Sequence, residues 1–186
     1  MSNLLGLEEE RPATTQYQNA PWEPDPEVLT RIKRGANWFY WIAGLSVINS
    51  VAFAAGGNFH FLAGLGVTEV MDAIVDVFIK QGSPSAFRAL AIVFDLIAVM
   101  GFALCGYFAS RPSRTAFIIG IGFYFLDALI VLLLGDMFMA AFHAFALYSL
   151  IRGFLASREL KAQAQNVSAS TIPPPPNPAV NSEGVI

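Results

Sequence analysis

The chain has 186 residues, of which 55% are hydrophobic and only 13% are charged, and its mean hydropathy is +0.53. Soluble domains carry about 25% charged residues, so this composition indicates a membrane protein. The net charge is −3 and the basic residues flank apolar segments without forming a basic surface, which argues against a nucleic-acid partner. The single cysteine, Cys105, cannot form an internal disulfide or a CxxC pair, which disfavours a thiol oxidase.

Both ends of the chain are too polar to fold alone. Residues 1–24 contain an acidic cluster and several prolines, and we expect a disordered cytoplasmic tail without the basic and apolar regions of a secretory signal. Asp25 followed by Pro26 is a helix-start signature and predicts that the membrane domain, residues 25–161, begins there. Residues 162–186 include a run of four prolines and predict a second disordered, proline-rich tail.

Four apolar segments are long enough to cross about 30 Å of hydrocarbon, which takes roughly 20 residues. They lie at about residues 37–57, 86–109, 115–134 and 137–156. Only Gly135 and Asp136 separate the last two segments, so we expect these to form an antiparallel helical hairpin. Gly135 suits the left-handed C-cap of one helix, and Asp136 can cap the start of the next.

A fifth apolar segment, residues 60–79, carries charges along one side. Glu69, Asp72 and Asp76 share a helical stripe, and Lys80 continues it. Apolar residues occupy the opposite face, so the pattern predicts an amphipathic helix at about residues 67–80. We expect it to lie at the membrane interface or on top of the bundle instead of forming a fifth span.

The distribution of Lys and Arg gives an independent test of this topology, because basic residues concentrate on the cytoplasmic side of a membrane. Four spans place nearly all of them on the side of the N-terminus and leave only Lys80 and Arg88 on the other side, whereas five spans divide them almost evenly. The sequence therefore predicts an all-α fold: an integral membrane four-helix bundle with an additional extracytoplasmic amphipathic helix. Both termini would be cytoplasmic. The residues on the cytoplasmic side are Arg11, Arg31, Lys33, Arg34, Arg111, Arg114, Arg152, Arg158 and Lys161.

Each predicted span carries one polar residue at a similar depth, about 9–13 Å from its outer end at 1.5 Å per residue. These residues are Asn49, Asp95, Asp127 and His143. Small residues flank them on the same helical faces, which is typical of faces where helices approach closely. Asp127 and His143 lie on the two helices of the hairpin and are expected to pair, which would lower the cost of burying both.

Three interpretations of this polar layer follow. In the first, it holds the helices together through hydrogen bonds and has no other role. In the second, Asp95, Asp127 and His143 bind a proton or a metal cation, as in a transporter-like protein. In the third, Asp127 and His143 act as an acid and base on lipid, in a lipid-modifying intramembrane enzyme. No HExxH motif, GxSxG motif or phosphate-binding loop is present in the sequence, and we expect no resident cofactor.

The acidic stripe of the fifth segment is a weaker metal candidate. The carboxylates of Glu69, Asp72 and Asp76, with His60 and Asp136 as further members, offer a mainly oxygen ligand set that suits a hard cation such as calcium. The simpler interpretation is the solvated face of an interfacial helix, since no EF-hand pattern accompanies the stripe.

Two segments, NWFYWIAGLSVINSV (37–51) and FLDALIVLLLGDMFMAAFHAFALYSLIRGF (125–154), resemble small bacterial integral membrane proteins with no known activity. The resemblance covers about residues 37–156 and not the tails. It implies a four-span inner-membrane fold and no activity. We expect a non-enzymatic accessory or self-associating component whose partners are the lipid bilayer and either a second copy or another membrane protein.

Overall fold

The computed structural model of the chain describes residues 22–54, 65–82, 84 and 86–171. These residues form five α-helices, and no strand occurs among them. Residues 25–160 form one compact unit, which contains the core and every contact discussed below. The helices are α1 (Pro26–Ala54), α2 (Gly66–Lys80), α3 (Ala86–Ala109), α4 (Arg114–Leu134) and α5 (Met137–Thr171).

The helix ends form where the sequence places capping residues. The Asp25 side chain accepts the backbone N–H of Glu27 at 2.8 Å, so α1 begins at Pro26 as predicted. Gly135 adopts the left-handed conformation (φ 81°) that ends α4. The side chain of Asp136 then accepts the N–H of Met139 at 2.9 Å and caps α5. The predicted two-residue connection between these helices is therefore confirmed.

Contacts between side chains show that α1, α3, α4 and α5 alternate in direction. Near one end of α1, Arg31 pairs with Glu159 of α5 at 2.6 Å. Near the other end of α1, Ser50 bonds Asp95 in the first half of α3. The hairpin of α4 and α5 completes the up-down-up-down order.

The centre of the core is Phe39 of α1, which is fully buried. Its ring contacts Phe102 of α3 and Phe117 of α4, at centroid distances of 6.3 and 5.8 Å. Glycines allow the closest helix approaches: a Cβ added at Gly35 would lie 2.5 Å from the Cα of Gly153 on α5. Phe39 and the glycine contact therefore tie α1 to the other three long helices.

Three helices, α3, α4 and α5, are long and apolar enough to cross a membrane, with mean hydropathies of 2.3, 2.5 and 1.4 over their most apolar windows. Their outward side chains are large and apolar, for example Ile97 and Phe123 at 66% and 64% exposure, as lipid contact requires. The chain is thus suited to a membrane environment. The described part of α1 does not reach the same hydropathy, because charged residues occupy its first turns and Ser46, Asn49 and Ser50 interrupt its apolar second half.

One boundary differs from that predicted. Helix α5 continues to Thr171, so the part of the predicted tail from residue 162 to 171 is helical and the rest lies outside the described residues. Alanine and glutamine dominate residues 162–165, and both favour helix, which explains the extension. Residues 1–21 of the other predicted tail, and residues 55–57 of the first predicted span, also lie outside the described residues.

Helix α2 has the opposite orientation from that expected of a helix on the surface of a bundle. Its apolar residues Ile74, Val77 and Phe78 are exposed, at 46%, 53% and 45%. Its acidic residues are partly buried, and its N-terminus is fully buried at Leu65 and Gly66. The prediction that α2 lies at the interface or on top of the bundle is wrong for its first turn, which enters the bundle between α1 and α4.

Candidate functional site

Asp127 of α4 is the centre of a buried polar site. Its side chain is 3% exposed, and both carboxylate oxygens accept hydrogen bonds. Oδ2 accepts the backbone N–H of Gly66 at 3.0 Å, and Oδ1 accepts that of Val67 at 2.8 Å. The Nε2 atom of His143 lies 2.9 Å from Oδ2. One carboxylate therefore connects α4 to both α2 and α5.

His143 of α5 is fully buried, and both ring nitrogens have partners. Nδ1 lies 2.8 Å from the carbonyl oxygen of Met139, which can only accept, so Nδ1 carries a hydrogen. The ring also stacks on Tyr124, with centroids 4.8 Å apart and planes 12° apart. Its Nε2 atom faces the Asp127 carboxylate, so both sides of the ring make polar contacts. The pairing of Asp127 with His143 that the short hairpin predicts is present.

The start of α2 depends on these side chains because its own sequence supplies no cap. Leu65 stands at the N-cap position and cannot accept a hydrogen bond with its side chain. Ser46 of α1 accepts the N–H of Leu65 at 3.0 Å, and Asp127 accepts the next two. Three consecutive N–H groups of a buried helix end are thus satisfied by two other helices. The negative charge of Asp127 also suits the positive end of the α2 dipole.

Gly66 is the residue that permits this approach. A Cβ at its position would lie 2.4 Å from Cγ2 of Val131, which is 1% exposed, and 3.6 Å from Oδ1 of Asp127. Any larger residue would push α2 away from α4. The hydrogen bonds to Asp127 therefore require a glycine at the first position of α2.

Asp95 of α3 belongs to a separate contact. It is 4% exposed, and its Oδ2 accepts the hydroxyl of Ser50 on α1 at 2.7 Å. Its Oδ1 is buried and has no hydrogen-bond partner in the described part of the chain. Asp95 is therefore a buried carboxylate with half of its hydrogen-bonding capacity unused, and it does not join the hydrogen bonds of Asp127.

The predicted layer thus divides into two groups. The structure brings Asp127 and His143 together, and it places Asp95 with Ser50. Asn49, the fourth member, is partly buried, and its Oδ1 has no partner among the described residues. The hydroxyl of Tyr124 is buried and likewise unpartnered there. The division arises because helix α2 inserts its N-terminus at this level and uses Asp127 as its cap.

The acidic residues of α2 do not converge on one point. Asp76 forms an ion pair with Lys80 one turn later on the same helix. Burial and the nearby negative charge of Asp95 raise the pKa of Asp72 to about 6, and Arg88 opposes this shift. Within residues 22–54, 65–82, 84 and 86–171, no group of three or more His, Cys, Asp or Glu side chains could hold a metal ion. His60 lies outside these residues.

A groove of about 550 Å³ lies between α3 and α4, beside the start of α2. Apolar side chains form nearly all of its wall, including Phe94, Ile97 and Phe123, and Asp127 is its only charged lining residue among those described. The carboxylate oxygens of Asp127 are already bonded to α2 and His143. The groove therefore suits hydrocarbon, such as a lipid chain, and offers no free polar anchor at Asp127.

Several residues of the site were not predicted as functional. Ser46 and Ser50 are spaced by one helical turn on α1, and this spacing in an apolar segment is a signal that could have identified them. The N–H groups of Leu65, Gly66 and Val67 leave no signature of their own, because every residue type except proline has one. The absence of a capping residue before Gly66 is the only hint that the cap comes from elsewhere.

Comparison with known proteins gives no match: no family model, curated protein or solved structure shows significant similarity to this chain.

Proposed function

We propose that the chain is a four-span integral membrane protein of the bacterial inner (plasma) membrane, with both termini cytoplasmic. The spans would be α1, α3, α4 and α5. Their alternating directions support this topology, since α1 packs along the three apolar helices. The concentration of basic residues near the start of α1, the α3–α4 connection and the second half of α5 supports the orientation.

Within that framework, the protein is a non-enzymatic accessory or self-associating component, and its buried polar site is structural. One observation carries this proposal: the Asp127 carboxylate accepts two N–H groups of α2 and pairs with His143. These bonds occupy three of the roughly four lone-pair positions that a carboxylate offers. The hydrogen bonds of the site therefore serve to hold α2 in the bundle.

The same contacts argue against direct chemistry by Asp127 and His143. A metal or a substrate would have to displace an internal partner, since both nitrogens of His143 are bonded and the ring is 0% exposed. Removing such a partner from a buried charge is costly, about 3–5 kcal/mol. A general acid or base for lipid chemistry needs access to its substrate, and these two side chains are enclosed.

The substitutions Asp127→Asn and His143→Gln test the proposal. Each leaves a buried polar group without its partner, so we expect each to lower the free energy of unfolding in detergent by about 3 kcal/mol or more. Glu159→Gln, in the exposed ion pair with Arg31, is the control and should change it by less than about 1 kcal/mol. Stability is followed by chemical unfolding with circular dichroism.

A different outcome would support binding instead. If both variants stay within about 1 kcal/mol of the wild type but abolish a cation-dependent or pH-dependent thermal shift, Asp127 and His143 bind a ligand and the structural proposal fails.

A second candidate function is a proton- or cation-binding, transporter-like protein using Asp95, Asp127 and His143. The observation that favours it concerns Asp95 alone, whose buried Oδ1 lacks a partner. A buried carboxylate in a membrane must be protonated, paired or bound to a cation. Of the three residues, Asp95 is therefore the one that still has capacity to bind.

A further inference from the structure

Helices α2 and α3 form an antiparallel pair that places two carboxylates at the same level. The turn between them begins at Gln81, and the ring of Phe78 stacks on that of Phe87 at 6.1 Å. Asp72 lies about 9 Å back from this contact along α2, and Asp95 lies about 12 Å forward along α3, at 1.5 Å per residue. The antiparallel register thus sets Asp72 beside Asp95.

The surroundings of Asp95 leave one of its oxygens unused. Ser50 donates to Oδ2, and Oδ1 is buried without a partner in the described part of the chain. Helix α1 contributes only neutral polar groups here, Asn49 and Ser50. No residue of α1 therefore offsets a negative charge on Asp95.

The charges on α2 and α3 favour one negative charge shared by Asp72 and Asp95 over a negative charge on each of them. On α2, the charge of Glu69 adds to the rise in the pKa of Asp72, and Asp76 is paired with Lys80. On α3, Arg88 is the only cation that acts on Asp72, and it lowers the pKa of that carboxyl less than burial and Asp95 raise it. Two carboxylates in a poorly solvated site do not readily ionise together, since like charges repel and burial disfavours each.

We propose that Asp72 and Asp95 form a proton-binding carboxylate pair, reached from the end of the bundle along the polar face of α2. One proton from water binds a carboxylate oxygen of the pair and returns to water when both groups ionise. This inference rests on the second candidate function but assigns it to Asp72 and Asp95, apart from Asp127 and His143. The pair supplies too few oxygens for calcium, which takes six to eight ligands.

The pH dependence of thermal unfolding in detergent tests the pair. The native pKa of Asp72 is above its unfolded value of 3.8, so the native state binds more protons and the wild-type Tm falls as the pH rises from about 4 through about 6. Asp72→Asn and Asp95→Asn should each reduce this fall, and Asp72→Asn should raise the Tm above about pH 6. Asp76→Asn makes the same charge change at a carboxylate that is already paired with Lys80, and it should retain the wild-type profile.

Infrared difference spectra between acidic and alkaline samples provide a second readout. We expect the wild type and Asp76→Asn to lose carboxylic acid C=O intensity as the pH rises through about 6, and Asp72→Asn to lose less of it. Should Asp95→Asn fail to fold, Asp72→Asn carries the test, because its side chain is only partly buried.

Two results would overturn the inference. In one, Asp72→Asn retains both the pH profile and the band of the wild type. In the other, sodium or calcium ions at alkaline pH raise the Tm of the wild type but not of Asp95→Asn, which would identify a metal site. Neither result depends on Asp127 or His143, so the structural role of those residues stands or fails separately.

Discussion

Asp127 accepts the backbone N–H of Gly66 across a sequence separation of 61 residues. This bond joins the first turn of α2 to the second half of α4, about 10 Å from the end of α4 at 1.5 Å per residue. An N-cap is normally the side chain that precedes the helix. Here the cap is supplied by a different helix, so the position of α2 depends on tertiary structure.

The close approach of α2 and α4 predicts the effect of Gly66→Ala. The added Cβ would overlap Val131, so α2 must shift and lengthen its bonds to Asp127. We expect a loss of about 1–3 kcal/mol in the free energy of unfolding in detergent. The double variant with Val131→Ala should recover part of this loss, because it removes the overlapping methyl group.

Gly101→Ala is the matched control for this change. A Cβ at Gly101 meets no atom within 4 Å, and alanine favours helix over glycine. Its stability should equal or exceed that of the wild type. Equal stability of Gly66→Ala and wild type would show that the contact with Val131 does not constrain α2.

Ser46→Ala tests the hydrogen bond to the N–H of Leu65, which is the group at the buried start of α2 that Ser46 accepts. The variant leaves the N–H of Leu65 buried without an acceptor, which costs about 1–3 kcal/mol. Ser149→Ala serves as the control, because that hydroxyl bonds only the carbonyl of Phe145 within its own helix. We expect the control to remain within about 0.5 kcal/mol of the wild type. Similar losses in both variants would count against a role for Ser46 in holding α2.

The crossing of α1 and α5 predicts a strong effect at Gly35. A Cβ there would lie 2.5 Å from a backbone atom of Gly153, which cannot move without displacing the helix. Gly35→Ala should therefore lower the free energy of unfolding by about 3 kcal/mol. Gly44→Ala lies on the same helix with no atom within 4 Å of its Cβ, and should be neutral or stabilising by up to about 1 kcal/mol. A neutral Gly35→Ala would mean that the two helices are farther apart.

The proposed topology is tested by labelling single cysteines in a Cys105→Ala background. Gln81 and Arg111 are exposed and lie at opposite ends of α3. We expect a membrane-impermeant maleimide to label Gln81→Cys in intact cells, and Arg111→Cys only after the membrane is opened. The reverse pattern would invert the orientation, and labelling of both in intact cells would contradict a span at α3.

The sequence predicts the helices well because local signals mark their ends. Asp25, Gly135 and Asp136 cap helices in the way that their residue types favour. The pairing of Asp127 with His143 agrees with the two-residue connection, since residues at similar distances from a tight turn lie at the same level of the two helices. Both inferences use only short-range geometry.

The position of α2 could not be predicted, because it depends on long-range contacts between backbone and side chain. Its charge pattern is that of a surface helix, yet Ile74 and Phe78 face outward and the first turn is buried. In a bilayer an exposed apolar face is favourable, so the polar face turns toward the bundle. The same charge pattern is therefore compatible with two orientations of α2. The separate contacts of Asp95 and Asp127 follow from the orientation that α2 adopts.

The cap of α2 also sets an order on biosynthesis. Gly66 leaves the ribosome long before Asp127, and His143 follows later still, so a nascent chain that ends after α3 has no acceptor for the N–H groups of Gly66 and Val67. Unsatisfied N–H groups are costly in hydrocarbon. We therefore expect the first turn of α2 to reach its final position only after α4 and α5 have been made.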